Sequence, residues 1–410
     1  MHIKQCRACN QQALLPVLRL GNMPLVNHFL SNEDLRGEEP KFPLNLCVCS
    51  SCSLAQLDHV VPPAKMFRRY HYLTSASRPL LEHFRALAQT CMQRGFIKKG
   101  SKVLDIGAND GTLLFEIQKF GCDVLGVDPS LNAIEEAKKI GIEVLPHLFD
   151  VKVAEALRRK YGKFDLITGT NVFAHTHEIV SFLKGAKMLL GKKGVLILEF
   201  AHLLDMVLKN QFDVIYHEHI CYFTLRALMP FFKKHGLEIF DASKVLTQGG
   251  SLRIYICHPE SHVKRHPENL QAIFQEEADT HLHEMATLRR FAEEVHSFRD
   301  EFRELLTSLS ANGKKIVGFG APAKGVILLN YAKAGSREIS YLVDSTELKQ
   351  GRFFPGNHIP VFSERKLEND SFDYVLILSW NFQDAILEKL EPYRKKGVKV
   401  IIPFPKLRVI

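Results

Sequence analysis

No apolar run in the 410 residues approaches the ~20 that a membrane-crossing helix needs, which excludes a helical span. The opening stretch, Met1-His2-Ile3-Lys4-Gln5-Cys6, has no signal-peptide core, so a cytoplasmic protein is expected. There is no low-complexity tract, and 46% hydrophobic with 24% charged residues is ordinary globular composition. Dense basic blocks are missing too. The net charge of +9 is spread over lysines and arginines scattered in twos, so nothing in the charge points to nucleic acid. An anionic small substrate, such as a nucleoside diphosphate, would use the same surplus locally.

Cysteines are scarce beyond residue 52: five of the nine lie within the first 52 residues. Cys6-Arg7-Ala8-Cys9 and Cys49-Ser50-Ser51-Cys52 are C-x-x-C knuckles about 40 residues apart, the spacing of a four-thiolate zinc site. Cys47 is the spare. Four thiolates leave no open position, so the zinc is expected to be structural. It would contribute directly to folding a turn-rich segment with little core of its own.

The length favours two or three domains. We divide the chain into a zinc-binding segment (1–65), an α/β segment (66–260), a charged helical connector (261–310) and a smaller open α/β segment (311–410). In the second, candidate strands 102–106, 123–127, 142–145, 164–169 and 194–199 alternate with amphipathic stretches, predicting a doubly wound parallel sheet. Later strands near 237–241 and 251–257 flank a hairpin turn, Thr247-Gln248-Gly249-Gly250. The connector's His262, His266, His281 and His283 read as a solvated face rather than a metal site. The last segment opens on another strand, glycine turn and helix start, Lys315-Ile316-Val317-Gly318-Phe319-Gly320-Ala321-Pro322-Ala323-Lys324. Lys324 would reach a phosphate on the helix N-terminus.

The most informative stretch is Val103-Leu104-Asp105-Ile106-Gly107-Ala108-Asn109-Asp110-Gly111-Thr112. Strand, tight turn and helix follow one another, a junction that brings backbone N–H groups against a cofactor. The third glycine of a dinucleotide fingerprint is missing, and Asp110 sits in the turn. That charge repels a pyrophosphate and suits a sulfonium. Asp128 then ends the second strand, where it could grip a ribose diol. In these residues the chain resembles the S-adenosylmethionine-dependent methyltransferases.

Two polar clusters interrupt this segment: Asn171-Val172-Phe173-Ala174-His175-Thr176-His177-Glu178 and Tyr216-His217-Glu218-His219. Methylating oxygen or nitrogen needs little acid–base help. Methylating carbon requires a proton to leave first, hence a positioned base and something to hold the enolate. Histidine suits the first task.

An ordered set of motifs is similar to the sugar C-methyltransferases that act at position 3 of TDP-4-keto-deoxysugars. The set comprises the cysteine knuckles, Leu20-Gly21-Asn22-Met23-Pro24, Tyr70-His71-Tyr72-Leu73-Thr74-Ser75, and the Asp105–Gly111 turn. It continues with Asn171–His175, Tyr216–His219, Gly249-Gly250-Ser251-Leu252-Arg253, Gly320–Gly325, Pro355-Gly356-Asn357-His358 and Ser379-Trp380-Asn381. The resemblance implies a zinc domain, a central methyltransferase domain and a C-terminal domain that helps hold the nucleotide. It implies His219 as the base, with Tyr216, Glu218, His175 and Tyr70 as active-site neighbours. Implied cofactor contacts are Ser75, Asp105, Gly107, Asn109, Asp110, Gly111, Asp128, Pro129 and Asn171. Implied substrate contacts are Arg253, Gly320, Lys324, Arg352 and His358.

Two other readings compete. A zinc-containing RNA methyltransferase predicts strongly salt-dependent RNA binding, and leaves the C-terminal glycine turn unexplained. A non-catalytic nucleotide-sugar-binding protein predicts cofactor binding without turnover. The sequence leaves the oligomeric state open.

Overall fold

The computed structural model describes residues 1–67 and 73–410; Tyr70 lies outside the described residues. Three sheets organise the described residues. The first runs β1 (Leu14–Pro24), β2 (Lys41–Cys49) and β3 (Ala55–Leu57), all antiparallel. The N-terminal segment is thus less turn-rich than its sequence suggests. In β1, Leu18 and Leu20 point inward while Arg19 between them is exposed, the period of two that a half-buried strand requires. Leu18 and Leu20 join one core with Val295, Phe298 and Phe302 of the helix Met285–Ala311 and with the C-terminal sheet. The small segment borrows a core rather than building one.

The central sheet holds β4 (Lys102–Ile106), β5 (Asp123–Val127), β6 (Val144–Leu145), β7 (Phe164–Thr170) and β8 (Leu190–Ala201). After β9 (Cys221–Tyr222) come β10 (Glu238–Val245) and β11 (Ser251–Cys257). Its order is β10-β11-β8-β7-β4-β5-β6, parallel except where β11 pairs with β8 and β10. Val103 through Ile106 are buried without a break, as expected of a strand covered on both faces. The strand order reverses at β4 and β7, so the crevice lies at their carboxyl ends. β9 belongs elsewhere: it adds to β3 as the fourth strand of the first sheet.

The connector consists of helices Pro267–Asp279 and Met285–Ala311. In the longer one Leu288, Phe291, Val295, Phe298, Phe302 and Leu306 form one buried stripe with helical spacing. The last sheet contains β12 (Ile316–Phe319), β13 (Ile339–Val343), β14 (Val361–Phe362), β15 (Tyr374–Ile377), β16 (Lys399–Ile402) and β17 (Arg408–Val409), in order β14-β13-β12-β15-β16-β17. The two-residue edge strands β14 and β17 are too short to leave a pattern in the sequence. Among the described residues, no helix is long and apolar enough to cross a membrane.

Candidate active site and metal centre

The two cysteine knuckles fold alike. Asn10 N–H donates to Cys6 O at 2.9 Å and Ser53 N–H to Cys49 O at 2.8 Å, with both donors in the left-handed region at φ +62° and +61°. The turns converge: the Sγ atoms of Cys6, Cys9, Cys49 and Cys52 all lie within 4.8 Å of one another. Cys6–Cys52 is 3.5 Å and Cys9–Cys49 3.6 Å, close to the ~3.8 Å edge of a tetrahedron with ~2.3 Å zinc–sulfur bonds. These four residues form a structural zinc site. Cys47 is excluded, with its Sγ on Gln56 O at 3.1 Å. Behind the site Gln56 Nε2 donates to Cys6 Sγ at 3.2 Å, and Arg7 donates to Gln56 Oε1 at 2.8 Å. Arg7 Nε also donates to His177 Nδ1 at 3.2 Å, and Gln56 pairs in register with Cys221. The zinc segment therefore braces both polar clusters of the central segment.

At the carboxyl edge of the central sheet, Gly107 starts the turn at φ +76°. A Cβ there would lie 2.8 Å from Val172, so only glycine fits. Gly111, at φ +75°, caps the following helix, and Asn109 is left-handed at +49°. Asn109 N–H donates to Asp128 Oδ2 at 2.9 Å and Ser130 N–H to Oδ1 at 2.8 Å. Each carboxylate oxygen keeps a further lone pair for a diol. Burial raises Asp128 above the usual carboxylate value. Pro129 is half-buried beside it, and Asn171 leaves β7 at φ +56° with its N–H on Glu199 O.

The segment before the helix Arg78–Gln93 folds onto this turn. Thr74 N–H donates to Asn109 Oδ1 at 3.0 Å and Ser75 N–H to Asp110 Oδ2 at 2.8 Å. Thr112 Oγ1 donates to Asp110 Oδ1 at 2.6 Å, so Asp110 shapes the turn with both its oxygens. Asp105 differs from the expected cofactor contact. It is buried in β4, accepts from Thr168 Oγ1 at 2.7 Å, and is pushed up to about 7 by that burial. It supports the turn from beneath.

The second polar cluster is buried. His219 Nδ1 lies 2.8 Å from Val214 O. A carbonyl only accepts, so Nδ1 carries the proton and Nε2 the lone pair. The His219 ring lies 4.0 Å from that of Tyr216 and 5.0 Å from that of His175, centroid to centroid. Burial, with His175 nearby, holds His219 well below the ordinary histidine value; burial alone draws His175 to about 4. Both imidazoles are neutral at pH 7. The first and last segments both reach this cluster: Asn27 Nδ2 donates to Glu218 Oε1 at 2.7 Å, and Trp380 Nε1 donates to Asp213 Oδ2 at 2.6 Å.

The expected substrate contacts separate. Gly320 is left-handed at φ +87°, and a Cβ there would collide with Ser379. Lys324 does not reach over the open helix end as a phosphate ligand would. It is 5% exposed, with Nζ 4.3 Å from the Trp380 ring centroid. Arg253 is committed within the protein, to Glu199 at 2.8 Å and His83 at 3.1 Å. His358 Nε2 pairs with Glu39 at 2.9 Å, and Gly356 N–H donates to the same carboxylate at 2.9 Å, so the Pro-Gly-Asn-His turn clasps the first segment. Arg352 contacts Phe29 O at 3.5 Å in the same interface. Sequence reasoning missed Asn27, Glu39, Asp213 and Asp344. Asp344 ends β13 as Asp128 ends β5, a signal that was available. The other three contact residues 160 or more positions away, for which a single sequence gives no sign.

Three family profiles match in succession: "Putative zinc binding domain" over 6–67, "Methyltransferase domain" over 77–242 and "C-methyltransferase C-terminal domain" over 246–405. The C-methyltransferase NovU of Streptomyces niveus is 34% identical over 408 residues, covering 100% of this chain and 97% of that protein. A ubiquinone biosynthesis O-methyltransferase of Pelagibacter ubique is 34% identical over 129 residues, covering 30% of this chain and 50% of its own. Among solved structures, the magnesium protoporphyrin IX methyltransferase of Synechocystis is 19% identical with a TM-score of 0.35, covering 43% of this chain and 83% of that one. With matching domains in the same order and full-length similarity to NovU, this chain belongs to the S-adenosylmethionine-dependent C-methyltransferase family.

Proposed function

We propose that the protein methylates a carbon, position 3, of a nucleotide-linked 4-keto-deoxysugar, with His219 as the base that forms the enolate. The carrying observation is the 2.8 Å contact between His219 Nδ1 and Val214 O. It fixes the tautomer whose Nε2 accepts a proton, in a pocket where the imidazole starts neutral. A methyl transfer to oxygen or nitrogen would have little use for that arrangement. S-Adenosylmethionine supplies the electrophilic methyl group; the Gly107–Gly111 turn, Asp128, Pro129, Asn171 and Ser75 are suited to hold it at the strand edge. Tyr216 and His175 flank the base, and Glu218, anchored by Asn27, fixes the end of the Tyr216–His219 run.

The nucleotide is proposed to lie between the central and C-terminal sheets, most simply as a thymidine diphosphate, and a cytoplasmic location fits this chemistry. Incubation with labelled S-adenosylmethionine and a panel of nucleotide-4-ketosugars tests the reading. Label on carbon of a TDP-4-keto-deoxysugar is expected. Transfer to a hydroxyl or amine, or to none of the panel, overturns it.

A further inference from the structure

Near the base stands a buried cation that the proton transfer above does not use. Lys324 enters from the helix Ala323–Tyr331 of the C-terminal segment and is buried with its Nζ over the Trp380 ring. The indole donates to Asp213 Oδ2 at 2.6 Å, and Asp213 is fully buried, one residue before the Val214 carbonyl that orients His219. Lys324, Trp380, Asp213 and His219 are therefore one connected wall. Desolvating an ammonium is costly, and here burial draws Lys324 down to about 8 against the opposing pull of Asp213. Burial in turn pushes Asp213 up to about 6. The ammonium remains charged at pH 7, and its field lowers the basicity of His219.

A positive charge beside a base weakens that base. The arrangement makes chemical sense when the cation acts on what the base produces. Removing a proton from carbon next to a carbonyl converts the C–H pair into a C=C bond and leaves the former C=O π pair on oxygen. A preorganised donor in a dry pocket stabilises that oxyanion far more than water does. We propose that Lys324 is a catalytic residue, donating a hydrogen bond from its ammonium to the substrate's carbonyl oxygen as that oxygen becomes an enolate. His219 Nε2 takes the carbon-bound proton, Lys324 keeps its own three, and charge is conserved. Asp213, through Trp380, is a positioning residue for the ammonium. This rests on the carbon-acid reading above and replaces the phosphate contact that the sequence suggested.

The test uses the full-length zinc protein with Lys324→Met. It adds the double variant Asp213→Asn/Lys324→Met, in which no lone carboxylate is buried, and Lys324→Arg. Three quantities are read: turnover at saturating TDP-4-keto-deoxysugar, deuterium uptake at the substrate carbon in D2O with S-adenosylhomocysteine, and affinity for thymidine diphosphate. Both methionine forms are expected to lose about 100-fold or more in turnover and uptake, with thymidine diphosphate affinity within about twofold of wild type. Wild-type turnover should fall above about pH 8 as Lys324 deprotonates; Asp213, His219 and His175 have their values below that, Tyr222 is held well above its ordinary value, and Tyr216 and Glu218 also face the base. Residual turnover of Lys324→Arg should not show that fall. A tenfold loss of thymidine diphosphate affinity with turnover retained at saturation makes Lys324 a diphosphate ligand and overturns the assignment. So does deuterium uptake at the wild-type rate in both methionine forms. If wild type neither methylates nor exchanges any 4-keto substrate, the carbon-acid reading itself falls, and the role of Lys324 with it.

Discussion

Two strand–turn–helix junctions in this chain share one hydrogen-bond pattern and differ in what occupies it. After β4, Asn109 N–H donates to Asp128 Oδ2 at 2.9 Å, and Ser130 N–H to Oδ1 at 2.8 Å. After β12, Ala321 N–H donates to Asp344 Oδ2 at 2.7 Å, and Thr346 N–H to Oδ1 at 2.8 Å. Each turn begins on a left-handed glycine, Gly107 or Gly320. The third partner differs. Lys349 Nζ donates to Ala321 O at 3.0 Å and to Asp344 Oδ2 at 3.3 Å, whereas no ion pair reaches Asp128 among the described residues. The two acids respond in opposite directions. Burial raises Asp128; burial would also raise Asp344, but Lys349 together with the hydrogen bonds from Ala321 and Thr346 outweighs it and holds that carboxyl low. One backbone pattern thus gives a site that calls for hydroxyl donors and another that has supplied its own cation. The glycine turn is common to both junctions; the partners of the acid distinguish them.

The open junction is proposed to serve the chemistry at His219, and removing that base gives the largest effect. His219→Ala should lower turnover by ~100-fold or more, the scale of a lost general base, while S-adenosylmethionine affinity stays near wild type. A variant that still methylates at the wild-type rate would move the base elsewhere, with Tyr216 the next candidate. The comparison itself is tested next. Asp128→Ala should weaken S-adenosylmethionine binding by about 2–3 kcal/mol, the scale of charge-assisted hydrogen bonds, and Asp344→Ala should leave it unchanged. Calorimetry showing equal losses in both would erase the distinction between the junctions. Because Asp128 titrates above the usual carboxylate value, wild-type affinity should decline on acidification earlier than an ordinary aspartate would dictate. Asp128→Asn should flatten that decline.

What was legible in the sequence was local. The knuckles, the Gly107–Gly111 turn and the acid at Asp128 each lie within a few residues of the backbone they shape, so spacing alone reveals them. The helical character of the connector and most central strands were readable for the same reason. Interfaces were not. Glu39 meets His358 across more than 300 residues, and β9 leaves the central segment to pair with β3. Lys324 looked like a helix-end phosphate ligand because its sequence neighbours fit that role. Its true setting depends on Trp380 and Asp213, brought in by other elements. Charged residues expected to meet substrate, Arg253 and His358, also pair within the protein, because an ion pair and a binding site draw on the same residue types.

The smallest expected effect concerns the closed junction. Lys349 and Asp344 are 16% and 10% exposed at their side chains, between a surface pair and a buried one. Lys349→Ala should therefore reduce stability at pH 7 by about 1–2 kcal/mol, read from urea unfolding, with turnover close to wild type. The sign with pH follows from Asp344, whose folded value is depressed. Its contribution is present above the unfolded carboxylate value of about 3.9 and is lost as pH falls through the folded one. Without Lys349, Asp344 keeps its hydrogen bonds from Ala321 and Thr346 but loses the lowering that the ammonium supplies. The difference between wild type and Lys349→Ala should shrink as the pH is lowered below about 4. A stability difference that stays constant down to pH 3 would show that Lys349 acts through packing on the Phe29 ring, 5.5 Å away, rather than through the acid.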